Sequence, residues 1–150
     1  MITVRPLERA DHDGWRPLWD GYNAFYGRSG PTALPDEITA TTWERFFDPN
    51  EPMYANVAIA DGKVVGLVHF LFHRNMARIP YVCYLNDLFT LPEMRGRGVG
   101  RMLIESVYER AAAEGCKRVY WHTQANNATA RKLYDSLAKH EGFIVYSRDL

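Results

Sequence analysis

A glycine- and arginine-rich turn, Arg95-Gly96-Arg97-Gly98-Val99-Gly100, separates a β-rich run at 81–90 from a helical run at 98–114. A second β-rich run follows at 118–123. A strand, a crossover helix and a second strand of the same sheet close right-handed, with the two strands parallel. This unit commits the chain to an α/β arrangement. In the helical run Val99, Met102, Leu103, Val107 and Ala111 share one face, and Gly115 supplies a C-terminal stop.

The remaining elements surround that unit. Residues 2–5 read as a strand, and 10–26 as a helix with Trp15, Leu18, Trp19, Tyr22 and Phe25 at helical spacing. Residues 27–35 hold Gly, Ser and Pro and form a loop. A second helix is expected over 37–47, stopping before Pro49. The β-rich runs 54–60 and 64–72 meet at Asp61-Gly62, a strong hairpin dipeptide. A last helix is expected over 128–137, capped by Asn126 or Asn127, and a last strand over 143–146 closes the sheet. The order is β-α-α-β-β-β-α-β-α-β. It implies a mixed sheet with a hairpin meander in a single domain spanning 1–150.

Composition narrows the partners. The 150 residues are 47% hydrophobic and 24% charged, enough for one domain with a buried core. Eighteen basic and eighteen acidic side chains give a net charge of +0, which argues against a dedicated nucleic-acid binder. No apolar run reaches the roughly 20 residues of a membrane span. The start, Met1-Ile2-Thr3-Val4-Arg5-Pro6, reads as a strand and not as a signal peptide. Cys83 and Cys116 make no disulfide framework and lack ligand spacing to histidine, so reduced thiols in a cytoplasmic protein without a metal are expected.

The turn suits an anion. A helix start offers unpaired N–H groups and partial positive charge, and glycines remove the Cβ atoms that would hold a ligand away. Arg95, Arg97 and Arg101 add cations, so a diphosphate cradle is expected at residues 95–101. The pattern lacks the Lys-Ser/Thr of a Walker loop, and Arg101 or Leu103 stands where a dinucleotide fingerprint needs its third glycine. The competing reading is a glycine-capped turn or an Arg-Gly surface patch.

A second cluster opens the next helix, at Asn127-Ala128-Thr129-Ala130-Arg131-Lys132-Leu133-Tyr134. Asn127 and Tyr134 lie nearly two turns apart and share a face. Taken alone, Asn127 is a cap and Tyr134 a core aromatic. Ligands of α/β sheets, however, sit at the carboxyl ends of strands, where both helices start. A phenol with an ordinary pKa of about 10 can protonate a departing thiolate.

Asp87-Leu88-Phe89-Thr90-Leu91-Pro92-Glu93-Met94 followed by residues 95–100 resembles motif A of the GNAT acetyltransferases. Asn127, Ala130 and Tyr134, with Gly142-Phe143, resemble motif B. Asp48-Pro49-Asn50, residues 84–88 and residues 119–123 resemble a narrower branch, the yeast enzymes acting on histones and polyamines or on D-amino acids, and their bacterial homologues.

The resemblance implies a GNAT fold of α/β (α+β) class. That fold is a mixed, mostly antiparallel sheet of about six to seven strands, with a central parallel pair and about four helices. It implies acetyl-CoA as donor and no metal. Leu88, Phe89 and Thr90 would pair with the pantetheine arm through their backbone. Arg95, Gly96, Arg97, Gly98, Val99, Gly100 and Arg101 would hold the diphosphate. Asn127 and Ala130 would contact the coenzyme, and Tyr134 would be the general acid. Several members of that family place a glutamate on this strand as general base; the matching position here is Asn86, and an amide takes no proton at neutral pH. Asp87, expected on the opposite face, and His69, His122, Asp20 and Glu37 remain options, and no base is named.

The expected reaction is direct attack of a primary amine on the thioester. The acceptor is a small amine, polyamine or amino acid. Alternatives are a protein lysine, as in histone acetylation, or a weakly catalytic coenzyme-binding module. The aromatic and acidic segment 15–48 would carry much of the acceptor site. For any single aromatic there, packing onto the sheet is the simpler role. Association as a homodimer or higher homo-oligomer, through the C-terminal strand, is expected from the resemblance.

Overall fold

The computed structural model describes residues 1–150. Five strands form one sheet in the order β1 (Ile2–Pro6), β2 (Met53–Ala60), β3 (Lys63–His73), β4 (Val82–Thr90) and β5 (Val119–Tyr120). Strands β1 to β4 pair antiparallel, and β4 pairs parallel with β5. Four α-helices complete the fold: α1 (His12–Phe25), α2 (Asp36–Arg45), α3 (Val99–Ala113) and α4 (Ala128–Leu137). The β2–β3 hairpin turns where expected. Asp61 and Gly62 both take left-handed backbone, φ 49° and 74°, which matches the twist of the flanking strands.

Two apolar layers cover the sheet. On one face α1 and α2 bury Trp15, Leu18, Trp19 and Trp43 against Val57 and Leu67. On the other, α3 buries Val99, Leu103, Ile104 and Val107 against Ala58, Val68, Phe70 and Leu85. Both layers sit close because glycines stand at the contact points. A Cβ on Gly66 of β3 would meet Val99 Cγ1 of α3 at 2.8 Å. A Cβ on Gly21 of α1 would meet the Phe89 ring of β4 at 2.8 Å.

Two expectations fail at the C-terminal side. The sheet has five strands, not six to seven, because 139–150 form no strand; Phe143 and Tyr146 are 83% and 87% exposed. The run expected at 118–123 pairs only at Val119 and Tyr120, leaving too short an edge for another strand to extend. The parallel pair therefore lies at the edge of the sheet and not at its centre.

The ladder also carries a bulge. Partners run His69↔Asp87 and then Phe70↔Leu85, so Asn86 has no partner on β3.

Candidate active site

The parallel pairing of β4 with β5 ends at Tyr84↔Tyr120. Beyond it β4 continues through Leu88, Phe89 and Thr90, bound on one edge to Val68, Leu67 and Gly66 of β3. Its other edge carries no strand, so backbone donors and acceptors there are free for an extended ligand.

The glycine turn lies just past this edge. Gly96 and Gly98 take φ 77° and 81°, and Gly98 is the N-cap of α3. No side chain caps this helix, whose first intrahelical bond runs from the Met102 N–H to the Gly98 carbonyl. The leading N–H groups are thus left for an anion. Arg95 and Arg97 are exposed beside them, whereas Val99 is 2% exposed and offers backbone alone. Arg101 donates from Nη2 to Ser136 Oγ at 2.8 Å.

That bond draws α4 against α3. Leu133 Cδ2 lies 3.2 Å from where a Gly100 Cβ would stand. Asn127 is the N-cap of α4, its Oδ1 accepting from the Ala130 N–H at 3.4 Å. The cap role foreseen for it is real. Tyr134 packs its ring on Trp121, centroids 5.4 Å apart, at the margin of the α3 core. Its hydroxyl has no hydrogen-bond partner in the chain, yet no fully buried polar atom lacks one, so the oxygen opens on solvent. Burial raises its pKa, and Tyr26 adds to the rise, so the phenol is protonated at neutral pH.

Asp87 is not on the opposite face from Asn86, as strand alternation had implied. Asn86 Nδ2 donates to Asp87 Oδ1 at 2.8 Å, and the bulge is what turns the two side chains together. Asp87 also binds His69 Nδ1 at 2.8 Å, and the Trp15 indole donates to His69 Nε2 at 3.0 Å. The Tyr22 hydroxyl faces the same carboxylate. Burial works to raise the Asp87 pKa, but the His69 hydrogen bond and the charge interaction with His69, with smaller help from Tyr22 and Asn86, hold it below the usual carboxylate value. Burial pushes the Tyr22 phenol well up, and Asp87 adds to it.

The other options for a base separate cleanly. Asp20 is exposed and bound to Arg16 at 2.9 Å, and Glu37 is exposed. His122 lies beside Tyr84 OH at 3.3 Å, where β4 and β5 part. Burial pushes the Cys83 thiol up to about 12, so it is no nucleophile at neutral pH. Of the aromatics in 15–48, Trp15, Trp19 and Trp43 are core, as the simpler reading had it, while Tyr22 and Tyr26 border the site. The Trp15–His69–Asp87 chain escaped the sequence reading. Its one signal was a histidine between Val68 and Phe70 in an otherwise apolar strand.

A family model, "Acetyltransferase (GNAT) family", matches residues 15–138, which include the open β4 edge and the uncapped start of α3. The chain belongs to the GNAT acetyltransferase family. It is 35% identical over 150 residues to a D-amino-acid N-acetyltransferase of Saccharomyces cerevisiae, covering 99% of this chain and 91% of that one. It is 25% identical over 147 residues to an aminoglycoside N(6')-acetyltransferase of Salmonella typhimurium, covering 93% and 92%. Among solved structures, an aminoglycoside N-acetyltransferase in complex with CoA superposes with a TM-score of 0.84 at 20% identity, covering 99% and 95%. At that identity the likeness shows the GNAT fold. No helix is long and apolar enough to cross a membrane.

Proposed function

We propose that this GNAT acetyltransferase moves the acetyl group of acetyl-CoA to a small primary amine by direct attack, with Tyr134 as general acid. The observation that carries this reading is the unpartnered Tyr134 hydroxyl, carried by the helix whose Leu133 packs against Gly100 in the first turn of α3. The pantetheine arm lies along Leu88, Phe89 and Thr90. The uncapped N–H groups after Gly98, with Gly96, Gly100, Arg95 and Arg97, receive the diphosphate, and Arg101 supports the turn through Ser136. Asn127 and Ala130 border the coenzyme at the start of α4.

In the reaction a neutral amine adds to the thioester carbonyl, the C–S bond breaks, Tyr134 passes its proton to the departing sulfur, and the proton shed by the nitrogen goes to solvent, from which the phenol is restored. Backbone N–H groups of β4 at the carbonyl oxygen would stabilise the tetrahedral oxyanion. A small acceptor agrees with the relatives named for D-amino acids and aminoglycosides. The whole of 1–150 acts as one domain, in the cytoplasm, as a homodimer joined through the exposed apolar run Phe143, Ile144, Val145 and Tyr146.

A thiol-release screen tests the reading. Purified protein with acetyl-CoA should release CoA thiol only when an amine is supplied. Release at the same rate without amine, or none with any amine, would overturn it.

A further inference from the structure

Two unbalanced charges flank Tyr22. The first is Asp87, 7% exposed. An indole nitrogen only donates, so the Trp15 bond to His69 Nε2 leaves the imidazole proton on Nδ1, aimed at Asp87. His69 thus meets Asp87 as a hydrogen-bond donor. The buried carboxylate has donors in His69, Asn86 and Tyr22 but no arginine or lysine partner. A buried carboxylate with hydrogen bonds and no permanent cation beside it is a receptor for one.

The second is Arg28. Its Nε donates to Asn23 Oδ1 at 2.7 Å, and its guanidinium joins no ion pair. It lies over the rings of Tyr22 and Tyr26, at 5.9 and 5.6 Å from their centroids. With Nε on Asn23, the terminal nitrogens stay available for a carboxylate. Tyr22 therefore spans the two charges, its hydroxyl at the anion and its ring beneath the cation.

We propose that the acceptor is a free amino acid, its ammonium held by Asp87 and its carboxylate by Arg28, with His69 as a positioning residue for Asp87. A zwitterion meets both charges at once. A polyamine or aminoglycoside carries only positive groups and would set one against Arg28. The role of Asp87 is binding of the cation; loss of the proton before attack is a separate step. The inference rests on the acetyl-transfer reading for the fate of the amine, though not for its binding.

Calorimetric titration of CoA-saturated protein, which cannot turn over, tests it with D- and L-phenylalanine, phenylalaninamide and phenethylamine. Phenylalanine suits a site bordered by Tyr22 and Tyr26. One enantiomer should bind about 10-fold or more tightly than its amide or the decarboxylated amine. Arg28→Gln should erase that preference and leave CoA affinity unchanged. Asp87→Asn should weaken acid and amide together, and the Arg28→Gln comparison decides alone if that variant does not fold. Equal binding of acid and amide, no binding of either, or a preference that survives Arg28→Gln would overturn the proposal. A preserved preference with no acetyl transfer to any amine would instead sink the acetyl-transfer reading and leave this one standing.

Discussion

Asn86 donates its amide N–H to the Asp87 carboxylate at 2.8 Å, although the two residues are consecutive in one strand. Regular strand neighbours point to opposite faces and cannot make this contact. The bulge that permits it makes the Asn86 amide a donor to the next residue. Asn86→Asp replaces the donor with a like charge. At pH 7 the variant should lose about 1–2 kcal/mol of stability. The loss should shrink towards pH 4, as one of the two acids protonates and becomes a donor. Urea midpoints at the two pH values measure it, and an unchanged difference would deny the coupling.

Tyr134→Phe should lower kcat by about 10²- to 10⁴-fold, the usual worth of a positioned acid. Acetyl-CoA should still raise the melting temperature, because the ring, its packing on Trp121 and the α3 start are untouched. Steady-state rates and a thermal-shift assay on the same preparation separate the two effects. Full activity in the variant would remove Tyr134 from the chemistry.

Gly98→Ala tests the cradle through backbone alone. Nothing stands within 4 Å of a Cβ built at Gly98, so the penalty is that of a left-handed L-residue, about 1–2 kcal/mol. Relaxation of that φ should reorient the first N–H groups of α3 and weaken acetyl-CoA binding. Gly98→Glu should abolish thermal protection by acetyl-CoA, and so should Gly100→Glu, where Leu133 already closes the space. Retained protection in both glutamate variants would place the diphosphate elsewhere.

Acid should destabilise the fold in a set window. The hydrogen bond from Arg5 holds the Asp11 pKa below its ordinary value, against the effect of burial, and the Glu8 N–H adds to it. The Asp87 pKa is lowered as well. A carboxyl depressed in the folded state stabilises above its unfolded pKa, about 3.9, and loses that contribution as pH falls through the folded value. Stability should hold from pH 7 to about 5 and fall below about 4. Asp11→Asn should cost about 2 kcal/mol at pH 7 and flatten the acid limb. Melting temperatures across that range provide the measurement.

How much of this was readable beforehand depends on whether the deciding force is local. The Asp61-Gly62 hairpin needs two left-handed residues side by side, which few dipeptides supply, so its location was plain. Helices α3 and α4 announced themselves by apolar spacing and by Asn127. The residues 143–146 look like a strand because they are apolar and β-prone, but a strand exists only against a partner edge, and β5 offers two residues. The bulge is less visible still. One unpaired residue changes no composition and no motif, yet it moves Asp87 to the face of Asn86. For the same reason His69 read as an ordinary strand histidine. Its partners, Trp15 and Asp87, lie 54 and 18 positions away.

The arrangement of aromatic side chains makes the protein its own optical instrument. Three of the four tryptophans, Trp15, Trp19 and Trp43, are buried beneath α1 and α2, with the Trp15 and Trp19 rings stacked at 5.7 Å. Trp121 stands apart on the α3 side, in contact with Tyr134. Phenylalanine at 15, 19 and 43 would leave a single emitter next to the Tyr134 phenol. Its emission would then follow ligand arrival in the cleft in real time, without any attached dye.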